Sequence, residues 1–175
     1  MRRVFTGYFL WSFLLILFCS EQLLSVTQVS SETELRKRAD HYFNSENFEA
    51  ALPDYSRLLS LYPQESNYNY RFGICQLLAG KEKSNAATYL EIASKDIKIS
   101  KDVWYFLGKS YMINNNFTKA KDSFEKFKTI AGTSELKKYD VDACIRNCES
   151  GNLLLKSRKN IVILSSNEVS RNAFF

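Results

Sequence analysis

The sequence predicts an all-α protein, in which three stacked helix hairpins are followed by a C-terminal capping helix. Prolines and glycines, which break or end helices, number only two and six among 175 residues. Small residues recur in two series whose spacing is 34 to 35 residues. A period of about 20 to 50 residues is typical of repeat proteins. The repeat domain is expected to span residues 32–155, which is an ordinary size for one domain.

The two series of small residues are Ala39, Gly73 and Gly108, and Ala51, Ala86 and Ala120. Within each unit a polar turn separates the two series. A bulky residue follows the second small residue by four positions, as Tyr55, Leu90 and Phe124. The distance between two packed helices depends on the side chains at their contact, so small residues allow a close approach. One hairpin cannot bury its apolar face alone, which is why three units are expected to stack into one core.

These positions resemble the tetratricopeptide repeat. The third unit fits best and carries Trp104, Leu107, Gly108, Tyr111, Ala120 and Phe124 at the motif's key positions. Pro63 stands at the closing proline of the first unit, whereas the second unit departs from the motif with Gln76 in place of the tyrosine. The resemblance covers residues 32–130. It implies a right-handed superhelical array that binds proteins rather than catalysing a reaction.

Residues 134–155 are predicted to form one further helix, since apolar residues recur there at helical spacing. These residues are Leu136, Tyr139, Val141, Cys144, Ile145, Cys148 and Leu153. Charged residues cover the opposite face, which suits the cap that a repeat array needs. In the tail, 156–175, the β-branched and apolar run from Ile161 to Leu164 predicts a strand. A strand without a partner suggests the first piece of a further domain.

The N-terminal residues 1–27 are predicted to be a signal peptide. Arg2 and Arg3 precede an apolar run from Val4 to Phe18, and polar residues follow from Ser20 onward. A run of about 15 residues is shorter than the roughly 20 that span a membrane. Leu23 and Leu24 could extend it, so an uncleaved anchor stays open as the alternative. The cleavage site is expected near residues 25–27.

The cysteines raise two questions. Cys19 follows the apolar run, where a lipoprotein would be lipidated, but Phe18 is larger than the residue that usually precedes such a cysteine. Export implies an oxidising compartment, and the odd number formed by Cys75, Cys144 and Cys148 leaves at least one thiol unpaired. We expect these three to be buried as small apolar residues.

The layout is also similar to that of larger proteins of the Gram-negative bacterial envelope. In those proteins a signal and a few tetratricopeptide repeats precede a WD-type β-propeller and often an OmpA-like domain. The stretches that carry this resemblance are ADHYFNSENFEAALPDYSRLLSLYP, YNYRFGICQLL, VWYFLGKSY and FTKAKDSFEKFK. We expect neither later domain within these 175 residues, so their activities are not carried over, and the chain is either a truncated relative or a stand-alone repeat protein. The resemblance implies an exported protein of the periplasm or outer membrane.

No enzyme, cofactor or metal site is predicted. Gly108, Lys109 and Ser110 resemble the end of a phosphate-binding loop, but Val103 stands where that loop needs a glycine. The single histidine, His41, has no serine or cysteine in a recognisable nucleophile motif and lies far from the cysteines in sequence. The formal net charge of +5 is spread along the chain without a basic stripe, so no nucleic acid partner is expected.

The resemblance also implies a binding groove, because in this repeat the first helices of successive units line the concave face. By repeat phase, the predicted groove residues are Arg36, Asp40, Phe43, Asn44, Asn67, Tyr70, Ile74, Leu77, Asp102, Tyr105, Lys109 and Met112. Such a mixture suits a peptide or a partner helix. Alternatively, some of these residues pack against the N-terminal segment or the cap. Asp40 and Asp102 replace the lysines and asparagines that bind a C-terminal carboxylate elsewhere in the family, so that ligand is not expected.

Two functions remain open at this point. The first is a protein-binding scaffold of the cell envelope. The second is a structural spacer that is anchored to the outer membrane through Cys19.

Overall fold

A computed structural model describes residues 31–172, with the side chains of residues 31–159. The predicted signal peptide and Cys19 lie outside the described residues. Within them the protein is all-α, as predicted, and no strand is present. The elements in chain order are α1 (31–44), α2 (Phe48–Leu61), α3 (Ser66–Leu78), a single 3₁₀ turn (Lys83–Asn85), α4 (Ala86–Ala93), α5 (Val103–Ile113), α6 (Phe117–Ile130), α7 (Thr133–Tyr139) and α8 (Val141–Asn172).

The helices form three hairpins that stack in chain order. From α2 to α6, each helix packs against the next one, and α8 packs against α6. Leu35 and Ala39 of α1 are buried in the same cluster as Ala51 and Tyr55 of α2. The predicted all-α helical repeat array is therefore confirmed.

The close helix contacts lie where the small residues recur. Ala51, Ala86 and Ala120 are all 0% exposed. A Cβ atom added to Gly73 would lie 2.7 Å from Leu90 Cγ, and one added to Gly108 would lie 2.7 Å from Phe124 Cε1. Each of these contacts joins a small residue of the first helix to the bulky residue that the repeat pattern pairs with it. The packing mechanism predicted for the hairpins is thereby confirmed.

Polar turns start the second helices of the first and third hairpins in the same way. The side chain of Asn47 accepts a hydrogen bond from the Ala50 N–H at 3.2 Å, and that of Asn116 accepts from the Lys119 N–H at 3.3 Å. Asparagine is a favoured N-cap because its side-chain oxygen satisfies an otherwise unpaired backbone N–H. Glu46 and Asn115, which precede these caps, both adopt a left-handed backbone, with φ of 58° and 55°.

The C-terminal cap consists of two helices, so the prediction of one continuous helix over 134–155 is wrong. Asp140 ends α7 in a left-handed conformation with φ of 41°. Its carboxylate then accepts a hydrogen bond from the Ala143 N–H at 3.3 Å and caps α8. The cap still covers the array, because a Cβ atom on Gly151 would lie 2.7 Å from the Phe117 ring.

The predicted strand at 161–164 is also wrong, because the backbone there continues α8 to Asn172. A lone strand leaves its backbone N–H and C=O groups without partners, whereas a helix pairs them internally. The part of the chain that the structure describes offers no sheet edge for this segment to join.

Candidate protein-binding cleft

A cavity of about 410 Å³ opens between α1, the start of α2, α3, α5 and α7. We call it the aromatic cleft, and its lining residues are Phe43, Asn44, Glu46, Phe48, Tyr70, Ile74, Leu78, Asp102, Phe106, Lys138 and Tyr139. Helices α1, α3 and α5 are the first helices of the three hairpins. The cleft therefore lies on the side of the array where the repeat phase predicts a groove.

The walls of the cleft are mainly aromatic. Its five rings belong to Phe43, Phe48, Tyr70, Phe106 and Tyr139. Phe43 and Phe48 meet edge to face with centroids 5.6 Å apart, and Phe106 and Tyr139 do so at 6.1 Å. Edge-to-face pairs are a favourable arrangement of rings, so each pair stabilises its own part of the wall.

Asp102 ties three helices together at one side of the cleft. The Tyr70 hydroxyl of α3 donates a hydrogen bond to Asp102 Oδ1 at 2.6 Å, and the Tyr139 hydroxyl of α7 donates to Oδ2 at 3.2 Å. Burial and the neighbouring Asp102 carboxylate raise the pKa of Tyr70 well above its usual value, and the pKa of Tyr139 to about 12. Both hydroxyls therefore keep their protons at neutral pH and remain donors to Asp102.

Two cations of the chain already rest on rings of the cleft. The Arg71 guanidinium lies 4.9 Å from the Phe43 ring centroid, and Lys138 Nζ lies 4.9 Å from the Tyr139 centroid. Arg71 also donates to Asp40 Oδ1 at 3.1 Å, so its charge is matched by a carboxylate. The ring faces at the cleft boundary thus attract positively charged groups.

The structure divides the predicted groove residues among several places. Phe43, Asn44, Tyr70, Ile74 and Asp102 come together in the aromatic cleft. These five residues come from all three hairpins.

Four other predicted residues lie away from the cleft. Arg36 and Asn67 line a second cavity of about 390 Å³ beside Glu32, Tyr62, Glu65 and Tyr68. Asp40 accepts hydrogen bonds from Tyr55 and Arg71, which makes it part of the link between the first two hairpins. Leu77 is buried in the core.

The cap covers part of the third unit's predicted surface. The Tyr105 ring stacks on Tyr139 of α7 with centroids 4.1 Å apart and also contacts Phe127. Met112 is half-buried against the core, and Lys109 is exposed. The alternative that some groove positions pack against the cap is therefore correct for Tyr105.

Sequence reasoning missed several residues of the cleft, namely Glu46, Phe48, Leu78, Phe106, Lys138 and Tyr139. Phe106 could have been found, because it lies four positions after Asp102 and therefore on the same helix face. Tyr139 could not have been placed there, since its position depends on the break at Asp140.

The three cysteines within the described residues have no feature that would activate their thiols. Cys75, Cys144 and Cys148 are all free thiols. Burial raises the pKa of Cys75 to about 12 and that of Cys148 to about 11, so their nucleophilic thiolate forms are scarce at neutral pH. Within residues 31–159, no group of three or more His, Cys, Asp and Glu side chains is arranged to hold a metal ion.

The fold and the cleft define a class: an all-α repeat protein with a concave aromatic surface between its hairpins. The family model of the tetratricopeptide repeat matches residues 101–133, which contain α5 and α6. A tetratricopeptide repeat is thus found in the third unit, where the sequence motif is most complete. No curated protein matches the chain. The predicted likeness to envelope proteins with a β-propeller and an OmpA-like domain has no support from these comparisons.

The matched repeat has general functional implications. Tetratricopeptide repeats generally mediate binding to protein partners, and the family is generally non-catalytic. None of the helices that the structure describes is both long enough and apolar enough to span a membrane.

Proposed function

We propose that this protein is a non-enzymatic interaction module that captures a segment of a partner protein in the aromatic cleft. The observation that carries the proposal is the convergence of five aromatic rings and the carboxylates of Glu46 and Asp102 in a cavity between the first helices of successive hairpins. The tetratricopeptide repeat at residues 101–133 supports the same class of function.

The shape of the cleft suits a bulky anchoring side chain of the partner. Protein interfaces commonly concentrate their binding energy in an aromatic or aliphatic anchor that fills a pocket, with a polar rim around it. Here Ile74 and Leu78 add apolar surface to the rings, while Asn44 and Lys138 place hydrogen-bond donors among the lining residues. These donors can pair with backbone carbonyls of an extended segment or at the end of a helix.

A matched pair of tryptophan variants tests the proposal. Leu78 lines the cleft and Ile113 does not, although Ile113 occupies the equivalent position of the next repeat and both are 45% exposed. Peptides would first be selected from a random library on the wild-type protein. We expect Leu78→Trp, which fills the cleft, to weaken the binding of selected peptides about tenfold or more, or at least about 1.4 kcal/mol.

Ile113→Trp should bind the selected peptides like the wild-type protein. Binding would be measured by fluorescence anisotropy with labelled peptides, and folding by circular dichroism. An equal loss of peptide affinity in both variants, or no change of affinity in either, contradicts a binding site in the cleft.

We further propose that the protein acts as a scaffold in the bacterial envelope, in the periplasm or at the outer membrane. The support is the sequence of residues 1–27, where Arg2 and Arg3 precede the apolar run. Expression of the full chain in a Gram-negative host, followed by fractionation and N-terminal sequencing, tests this. A mature protein in the periplasmic fraction is expected, whereas an unprocessed protein in the cytoplasm rules it out.

The position of Cys19 directly after the apolar run favours a second candidate function, an outer-membrane lipoprotein that serves as a spacer. Labelling with radioactive palmitate distinguishes the two. Label that is lost in Cys19→Ser supports the anchored form, and absence of label on the wild-type protein removes it.

A further inference from the structure

We propose that the aromatic cleft selects partner segments in which an arginine or lysine lies beside a bulky apolar residue. This inference rests on the function proposed above and specifies the chemistry of the partner. It follows from the hydrogen-bonding state of Asp102, from the charges that line the cleft and from the cations already held on its rings.

The cluster of Asp102, Tyr70 and Tyr139 presents acceptors rather than donors to a ligand. Both tyrosine hydroxyl protons point to the carboxylate, one to each oxygen. A carboxylate has about four lone-pair sites, so two remain after these bonds. The Asp102 carboxylate, which lines the cleft, therefore keeps acceptor capacity for a ligand. A ligand rich in N–H donors satisfies such a cluster.

The charges that line the cleft also favour a basic ligand. Among the described residues, its charged side chains are Glu46, Asp102 and Lys138, so negative charge exceeds positive charge by one. The complete chain has a formal net charge of +5, which makes the cleft a local exception. Lys138 is exposed and lies over the Tyr139 ring, and Glu46 is an exposed residue of the lining. An acidic partner segment would face two carboxylates and one ammonium.

The rings supply the remaining part of the recognition. The faces of aromatic rings attract cations, and the attraction grows when the cation is partly desolvated. Arg71 and Lys138 already occupy ring faces of Phe43 and Tyr139 in this way, so a ligand would use the other rings of the lining, those of Phe48, Tyr70 and Phe106. An arginine of the partner can place its guanidinium against the Asp102 oxygens and its stem along the rings, since five donors and an apolar stem belong to the same side chain. A neighbouring bulky residue then fills the space near Ile74 and Leu78.

The test uses the full-length protein and the peptides selected from a random library. Clones whose binding is lost in Leu78→Trp are expected to be enriched in arginine or lysine next to Leu, Ile, Phe, Tyr or Trp. Replacing the arginine of such a peptide by citrulline keeps the shape of the side chain but removes its charge. We expect this change to weaken binding about tenfold.

Asp102→Asn gives the reciprocal test on the protein. It should weaken the arginine peptide about tenfold and leave the citrulline peptide nearly unchanged. Asp122→Asn is the control, because Asp122 is exposed on α6 and does not line the cleft. Glu46→Gln alters an exposed residue without touching the Tyr70 and Tyr139 bonds, and it should weaken the arginine peptide more than the citrulline peptide.

The outcomes separate this inference from the function on which it rests. Peptides that depend on Leu78 but are neutral or acidic overturn the inference and leave a protein-binding cleft in place. Equal affinity of the arginine and citrulline peptides overturns it as well. Absence of any selected peptide that is sensitive to Leu78→Trp overturns the proposed function itself.

Discussion

At the residue scale, the array depends on side chains that are small at specific contacts. Gly108 is buried against Phe124, and any added carbon would lie 2.7 to 2.8 Å from three ring atoms. Because the ring is itself 0% exposed, it cannot move without disturbing its neighbours. The same geometry at Gly73 and Leu90 repeats this contact one unit earlier.

Gly108→Ala is therefore expected to destabilise the protein by about 1 to 3 kcal/mol, the usual cost of overpacking a core. Urea unfolding measures the change. Gly132→Ala is the control, since the nearest atom to its added Cβ lies 3.6 Å away, in the Glu135 carboxylate. A second substitution, Phe124→Leu, should recover part of the loss in the Gly108→Ala background. Equal stability of the two alanine variants would contradict the packing argument.

The titration of Tyr139 is expected to lower the stability of the protein at alkaline pH. Its pKa is raised from 10.0 to about 12, mainly by burial and then by Asp102. The unfolded chain loses this proton first, so the stabilising effect is complete below pH 10 and disappears as pH rises from about 10 to about 12. Tyr139→Phe keeps the stack on Tyr105 but removes the titration. Urea midpoints should thus fall less steeply with pH in this variant, and an unchanged slope would contradict the assignment.

At the element scale, the break between α7 and α8 places Tyr139 in the cleft. Asp140 adopts φ of 41° and caps α8 through the Ala143 N–H. Asp140→Ala removes the capping carboxylate and puts alanine at a left-handed backbone position. We therefore expect it to lower the free energy of unfolding by about 1 to 2 kcal/mol. Asp140→Asn keeps a capping oxygen and tolerates the left-handed backbone, so it should leave the stability nearly unchanged. Differential scanning calorimetry measures both variants, and equal melting temperatures would show that the break does not depend on this residue.

The hairpins could be predicted from sequence because their signal is repeated. A small residue and a bulky residue return in phase three times, and each pair makes a local contact that the pattern describes directly. The end of α7 has no such signal, since a single aspartate in a left-handed conformation interrupts an otherwise continuous helical periodicity. The β-branched residues at 161–164 predict a strand, but a strand needs a partner edge that local composition does not supply.

The candidate site was predictable only in part, for a related reason. Repeat phase assigns Phe43, Tyr70 and Asp102 to one surface, and all three line the aromatic cleft, because that surface is generated by the repeat itself. It also placed Tyr105 on the open groove. The cap helix α7 lies outside the repeat, so its cover over Tyr105 could not be derived from the repeat phase.

At the scale of the whole molecule, α7 and the first part of α8 close the end of the array, and the exposed residues that follow Asn152 in α8 are expected to add little to the core. Val141 and Cys148 are buried against the third hairpin, whereas residues 153–159 are exposed. A chain that ends at residue 155 should therefore keep the unfolding free energy of the full-length protein. A chain that ends at Gly132 should lose more than about 3 kcal/mol, because it uncovers apolar surface of α6 and α5.

Chemical denaturation followed by circular dichroism tests these two truncations. If only the chain that ends at Gly132 loses cooperative unfolding, the result supports the role of α7 and α8 in closing the array. Equal destabilisation of both would mean that residues 156–175 take part in the folded core.

The most direct test of the account is a nuclear magnetic resonance titration of the isotope-labelled protein with a peptide that was selected on it. The largest shift changes should fall on Phe43, Tyr70, Asp102, Phe106 and Tyr139, and these changes should disappear in Leu78→Trp. Shift changes confined to α4, α6 and the part of α2 after Phe48 would contradict the claim that partners bind between the first helices of the hairpins.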